Sequence, residues 1–249
     1  FEHYFCVTVP HTMNSVFPFV TENWLSLIAI FWFVICFKGY TNYSRQRAKD
    51  TPCLASVLHL ARYEWMKQML SREVRVADIT GIANLERSVS FFASTTMLIL
   101  AGLMTILGST EKAIGLVEDL PFVTPASLAE WELKLVVLII VFVYAFFKFT
   151  WSLRQYGFVT VMLGGAPVLS EHSANEKNSI NKEHHVTAQR IAKMGSMAAH
   201  NFNMGLRTYY FSIAILAWFI NPWLFILSTG GVVIVLYRRE FKSSTLQTL

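Results

Sequence analysis

"AWFINPWLFILSTGG", Ala217–Gly231, lies inside an apolar run that extends from Leu206 to Tyr237. A single helix over that run is about 48 Å long at 1.5 Å per residue, whereas the hydrocarbon core of a bilayer is about 30 Å. One helix therefore overshoots unless it is steeply tilted. Two helices meeting at Asn221–Pro222 have only about 15 residues each, roughly 23 Å. They need local thinning, or neighbours that satisfy the backbone exposed at the turn. Asn-Pro is a turn-starting pair. Trp218, Phe219, Trp223 and Phe225 beside it resemble an interfacial aromatic belt more than a kink at mid-membrane. The hairpin is the preferred reading, and one long kinked helix is the alternative.

The rest of the chain sets this choice in context. Of its 249 residues, 54% are hydrophobic and only 15% charged, whereas average soluble domains are about one quarter charged. The apolar residues cluster in runs almost free of charge, which read as transmembrane helices. The expected fold is all-α, a polytopic transmembrane helical bundle with amphipathic cytoplasmic helices, forming a single integral membrane domain over 1–249. Membrane segments are expected near 24–38, 88–108, 133–150, 205–220 and 222–237, the last two as a short hairpin. With a kinked last helix the count drops to four. Between them, 41–87 and 155–204 are expected on the cytoplasmic side. Leu54, Val57, Leu58, Ala61, Trp65 and Met69 recur at three- and four-residue spacing, the mark of an amphipathic helix.

Charge placement carries the topology. Before Lys38 the only charges are Glu2 and Glu22, and Lys38 to Arg87 holds nine basic residues against five acids. Between the second and third runs Lys112 faces five acids, and from Lys148 to Arg207 seven basic residues meet three acids. The C-terminal segment has Arg238, Arg239 and Lys242 against Glu240. The positive-inside rule then puts the N-terminus outside and 41–87 and 155–204 inside. A single last crossing leaves "YRREFK" on the wrong side. A hairpin returns it to the cytoplasm, so the charges favour the hairpin as well.

The net charge of +5 flanks apolar runs, and no phosphate loop, zinc-spaced cysteine set or basic–aromatic repeat accompanies it. Nucleic acid is not an expected partner. Cys6, Cys36 and Cys53 fall before, inside and after the first run, at different depths, which argues against an internal disulfide. Residue 1 is Phe, so a true start upstream is expected, and no cleavable leader is recognisable.

Candidate sites are few. Lys148, Arg154 and Gln155 close the third run, where charges are costly and often functional. Snorkelling of both cations to the interface, with Trp151 as anchor, is the simpler account. Ser88, Ser90, Ser94, Thr95 and Thr96 polarise the second run. They line an aqueous path or, as is commoner, bond back to their own helix or across a packed pair. Ala188, Ala192 and Ser196, and Gly195 with Ala199, form small-residue faces that let helices approach. His200 projects from such a face but has no matching histidine for haem or metal, and the adjacent His184 and His185 diverge on a helix. Arg207, Asn221 and Pro222 complete the intramembrane polar and packing positions. Asp78 near Arg72 and Arg75 reads as an interfacial ion-pair cluster. The adjacent acids Glu118 and Asp119 do not converge. No nucleophile with a base stands out, so no catalytic, cofactor or metal residue is nominated.

Three stretches carry a family resemblance: "EWMKQMLSREVRVADITGIANLERSVSFFASTTMLILAGL", "VFVYAFFKFTWSLRQYGFVTVMLGGAP" and "HNFNMGLRTYYFSIAILAWFINPWLFILSTGGVVIVLYRREF". The chain resembles the bacterial membrane proteins catalogued as domain of unknown function 599. The resemblance implies a multi-span inner-membrane protein and brings no activity with it. The expected function is a non-catalytic scaffold or accessory subunit, a homo-oligomer or a component of a larger membrane complex. A transporter or channel for a small solute or lipid is the alternative, resting on the broken helix at Asn221–Pro222 and on Arg154.

Overall fold

Helix boundaries follow local chemistry. A computed structural model describes residues 24–50, 53–117, 124, 126–167 and 177–243. Among these the chain is helical between turns, with no strand. Helix α1, Trp24–Asp50, continues past its apolar run into a polar tail, and Pro52 follows, a residue that disfavours helix in its predecessor. Helix α2, Leu54–Leu70, starts where Cys53 is extended and the Ser56 hydroxyl accepts from the Cys53 N–H at 3.0 Å. Helix α3, Val76–Leu107, ends at Gly108, and the short α4, Thr110–Val117, follows it. Helix α5, Leu128–Gly164, is capped by Ser127, whose hydroxyl accepts from the Glu130 N–H at 3.3 Å. Helix α6, Lys177–Trp218, has no break between the small-residue face and the final apolar stretch. Helix α7, Pro222–Phe241, begins with proline at its first position, where a missing N–H costs nothing.

The opening stretch is therefore a reversal. Asn221 caps α7 by accepting from the Trp223 N–H at 2.8 Å. The two arms then run antiparallel, with Ser228 against Ala214 near the apex and Arg207 against Glu240 at the far end. The exposed carbonyl of Ile220 at the apex accepts from the N–H and hydroxyl of Thr124, at 3.1 and 3.2 Å. That is the support from a neighbour that a turn of this kind requires. Pro222 and Trp218 are buried, and Trp131 packs edge-on against Phe219 with centroids 5.0 Å apart.

Three helices, α1, α3 and α5, are long and apolar enough to cross a membrane, and the protein is a membrane protein. The helices are longer than the membrane segments expected from sequence. Val76 to Arg87 is already part of α3, and α5 begins at Leu128. At 37 residues α5 is about 55 Å long, and α6 at 42 residues about 63 Å. Both exceed a hydrocarbon core of about 30 Å, so part of each stands clear of it. These two helices pack antiparallel as the most extensive pair of the fold. Helix α3 lies against α5, α2 and α7 lie against α6, and α1 runs parallel to α7.

Two packed cores result. One, near the hairpin, gathers Phe33, Leu138, Phe142, Phe211, Trp218 and Phe225. The other joins α2 to the projecting halves of α5 and α6 through Met69, Leu70, Tyr156, Val159, Ala188 and Ala192. Tyr209 touches both, with its ring 5.3 Å from Phe142 and 5.6 Å from Phe149. The buried face of α2 is not quite the one its spacing predicts. Met66, Met69 and Leu70 are buried, while Ala61 faces outward, and α2 meets α6 through His59, Arg62 and Tyr63.

Gly205 is where α6 comes nearest α5. A Cβ there would lie 2.4 Å from Phe149 Cε1. Phe149 is fully buried among Phe92, Phe202 and Tyr209, so it cannot yield cheaply. Gly205→Ala is expected to destabilise by about 1–3 kcal/mol through overpacking, read as a lower melting temperature in detergent. Gly230→Ala, with nothing within 4 Å of the new methyl, is expected to hold or raise it. Equal behaviour of the two variants would contradict the close approach.

Candidate functional site

Where α1, α6 and α7 turn polar, a single carboxylate gathers all three. Glu240 accepts from the Tyr40 hydroxyl at 2.7 Å and the Ser44 hydroxyl at 2.6 Å, and pairs with Arg207 Nη2 at 3.1 Å. The Arg207 guanidinium stacks over the Tyr40 ring at 4.8 Å and reaches Ser44 at 3.4 Å. Beside this clasp opens a cleft of about 440 Å³, walled by α1, α2, α6 and α7. Its polar lining includes Arg45, Arg62, Arg207, Arg239, His200 and Asn203, and its apolar lining Leu54, Leu58, Leu206 and Leu236. Four arginines face one glutamate, a balance of +3 with His200 neutral. Arg239 bonds the Tyr210 hydroxyl, and Arg62 makes a 3.4 Å contact with the Ser196 hydroxyl. Among the described residues neither has a carboxylate partner, and nor does Arg45.

The field of the cleft acts on its own histidine. Crowding by protein atoms, then Arg207, Arg45 and Lys148, pushes His200 below the usual histidine range, with Glu240 opposing. Burial likewise pulls Arg62 below its ordinary value, against Tyr156. Both are effects expected where positive charge is concentrated and water is scarce.

The sequence candidates separate into four groups. Gln155, 2% exposed, joins a polar ladder across the α5–α6 contact, accepting from Asn201 Nδ2 at 2.8 Å. Lys148 donates to Asn201 Oδ1 at 3.3 Å, and Ser152 donates to the Ala198 carbonyl at 2.7 Å. Arg154 stands on the outward face of α5, with Phe158 under its guanidinium at 5.8 Å. His200 and Arg207 line the cleft. Asn221 and Pro222 sit at the opposite end, as hairpin apex. The structure thus brings Lys148 and Gln155 together and sets Arg154 apart.

Other polar groups serve packing. Ser88 and Thr95 bond back to carbonyls of their own helix, and Thr96 adds the Tyr209 hydroxyl at 2.7 Å. Asp78 pairs with Arg72 and accepts from Trp65. Arg75 instead caps the end of α5, donating to the carbonyls of Ala166 and Pro167 at 2.7 and 2.8 Å. His185 meets the Tyr63 hydroxyl at 2.9 Å. Cys36 and Cys53 are free thiols. Among the described residues no three His, Cys, Asp or Glu group as metal ligands do. Cys6, His172, Glu118 and Asp119 lie outside the described residues.

A second clasp closes the hairpin end. Glu130 and Lys134, 8% and 2% exposed, pair at 3.1 Å in the first turns of α5. Ser26 of α1 donates to Glu130 at 2.8 Å and accepts from Trp218 Nε1 at 3.3 Å. Neither clasp is apparent from sequence spacing alone, although two signals are present. Glu130 and Lys134 are i, i+4, and Glu240 is the lone acid in "YRREFK". Asn201 gives itself away only through the Lys148–Ser152–Gln155 stripe that faces it.

The model of one family, described as "Protein of unknown function, DUF599", matches residues 28–245. No curated protein and no solved structure matches the chain.

Removing the Glu240 charge leaves Arg207 largely buried and unpaired. Glu240→Ala is expected to cost on the order of 3 kcal/mol. Arg207→Met in the same chain should recover much of that loss in a double-mutant cycle of detergent unfolding. Additive losses would mean that the two residues act separately. Arg154→Gln, remote from both clasps, should change stability by no more than about 0.5 kcal/mol.

Proposed function

The chain belongs to the DUF599 family, which carries no assigned activity, and from that premise we propose a non-catalytic membrane scaffold or accessory subunit. It packs with itself or with other membrane subunits, in the bacterial inner membrane. One observation carries the reading: the interior is closed. The core near the hairpin is filled by aromatic and aliphatic side chains. Nearly every buried side-chain polar atom among the described residues has a partner, the exceptions being Asp78 Oδ2 and Thr229 Oγ1. Polar interiors that serve transport need groups left free for the cargo, whereas satisfied networks fix a register.

The broken helix that favoured a transporter for a small solute or lipid is a hairpin apex, and the scaffold reading sets it near the membrane surface. The cleft is the feature that still favours that second reading. Its lining draws on α1, α2, α6 and α7 but on neither α3 nor α5, so it does not run through the bundle centre.

The orientation proposed with this role puts the N-terminus outside and both the cleft and the C-terminus in the cytoplasm. Arg45, Arg62, Arg207, Arg238 and Arg239 then obey the positive-inside rule together. Mild detergent extraction is expected to give a particle larger than one chain plus micelle. A lone monomer at every concentration would overturn the scaffold reading. A C-terminal cysteine tag should react with an impermeant maleimide only after the cells are opened, and labelling of intact spheroplasts would reverse the orientation.

A further inference from the structure

The cleft at the polar ends of α1, α6 and α7 is more than a gap between helices. Arg45, Arg62 and Arg239 reach it from three helices, and among the described residues none of them pairs with a carboxylate. Its own acid, Glu240, is already committed to Tyr40, Ser44 and Arg207. Uncompensated guanidinium groups held in one concave site attract an anion. Their fork geometry matches the oxygens of phosphate better than a simple halide.

Depth narrows the anion further. Helix α1 enters the cleft at Thr41, just past an apolar run that ends at Phe37. Helix α6 lines it from Ser196 to Tyr210, across the point at Leu206 where its final apolar stretch begins, and α7 lines it from Leu236 to Glu240, where its own stretch ends. The cleft therefore lies at the level where hydrocarbon gives way to water, which is where lipid phosphates sit. Leu54, Leu58, Leu206 and Leu236 line it beside the arginines. A volume of about 440 Å³ falls within the range that holds a small ligand or headgroup.

We propose that this cleft is a binding site for a phosphate group, as carried by the headgroup of an anionic lipid, with Arg45, Arg62 and Arg239 as its cationic ligands. The leucines take the glycerol and upper acyl carbons. Arg207 is a positioning residue, held by Glu240 so that the wall it shares with α1 and α7 keeps its shape. Crowding by protein atoms lowers the proton affinity of His200 first, and Arg207 and Arg45 of the same cleft lower it further. The site is independent of whether the protein assembles with itself, so it stands or falls apart from the scaffold reading.

The test uses the full chain purified in a neutral detergent and delipidated. Melting temperature is followed during titration with phosphatidylglycerol, phosphatidylcholine or inorganic phosphate. Saturable stabilisation by phosphatidylglycerol is expected, at least tenfold weaker in apparent affinity with phosphatidylcholine. Arg62→Gln with Arg239→Gln should weaken it at least tenfold, and Arg154→Gln, outside the cleft, should leave it unchanged. Circular dichroism of the double variant shows whether it folds, and Arg45→Gln alone provides a milder test. Stabilisation by inorganic phosphate at matching affinity, lost in the same variants, would support the phosphate site and assign it a soluble ligand. Binding that ignores the cleft arginines, or falls equally in Arg154→Gln, would overturn the proposal.

Discussion

In hydrocarbon a peptide group without a hydrogen-bond partner costs several kcal/mol, and this constraint shapes the chain from end to end. It is why the described residues form helices and turns and why the reversal between α6 and α7 has a polar escort. The sharpest reversal joins α6 to α7. There Asn221 takes the Trp223 N–H, proline removes a donor that would otherwise be orphaned, and Thr124 reaches in from the α4–α5 connector to the Ile220 carbonyl. At the opposite end of the molecule Arg75 does the same work for the Leu163 carbonyl of α5 and for the carbonyls of Ala166 and Pro167 that follow it. Loops here are short of backbone freedom because neighbouring elements supply their bonds.

With the backbone accounted for, register is fixed by two charge clusters at opposite ends of the hairpin. Glu130–Lys134 draws Ser26 and Trp218 together, and Glu240–Arg207 draws in Tyr40 and Ser44. Burial of the apolar rings between them is favourable but non-directional, so it does not by itself select one hydrogen-bonded register. Hydrogen bonds to charged groups are not so tolerant, and a shift of one turn would strand both carboxylates. The clasps specify the arrangement and the aromatic core fills it.

Much of this was legible in the sequence. Apolar runs free of charge pointed to α1, α3 and α5, the three helices apolar enough to span a membrane, and the length of Leu206–Tyr237 with Asn221–Pro222 inside it pointed to the reversal between α6 and α7. Small residues on α6 announced packed faces, and Ala188 and Ala192 are buried in one core, whereas the tight contact with Phe149 falls at Gly205, which spacing did not single out. Hydropathy does not show where a helix ends once it leaves the membrane, because the polar continuation of α1 or α6 is helical for reasons of packing. The cleft was less accessible still. Arg207 and His200 are visible as oddities on α6, but Arg45, Arg62, Arg239 and Glu240 come from distant segments and converge only in three dimensions. Charge balance by segment counts these residues correctly and says nothing of which face another.

The continuity of α6 has a mechanical side. Its stretch before Leu206 spans 29 residues from Lys177 and contains neither proline nor a break, so it behaves as a stiff rod. A rotation of that stretch by about 10° about its hairpin end carries the far tip through roughly 8 Å, given a rise of 1.5 Å per residue. A small reorientation of the short hairpin is thereby converted into a larger excursion of the far end of α6. Helix α2, strapped along that rod, travels with it.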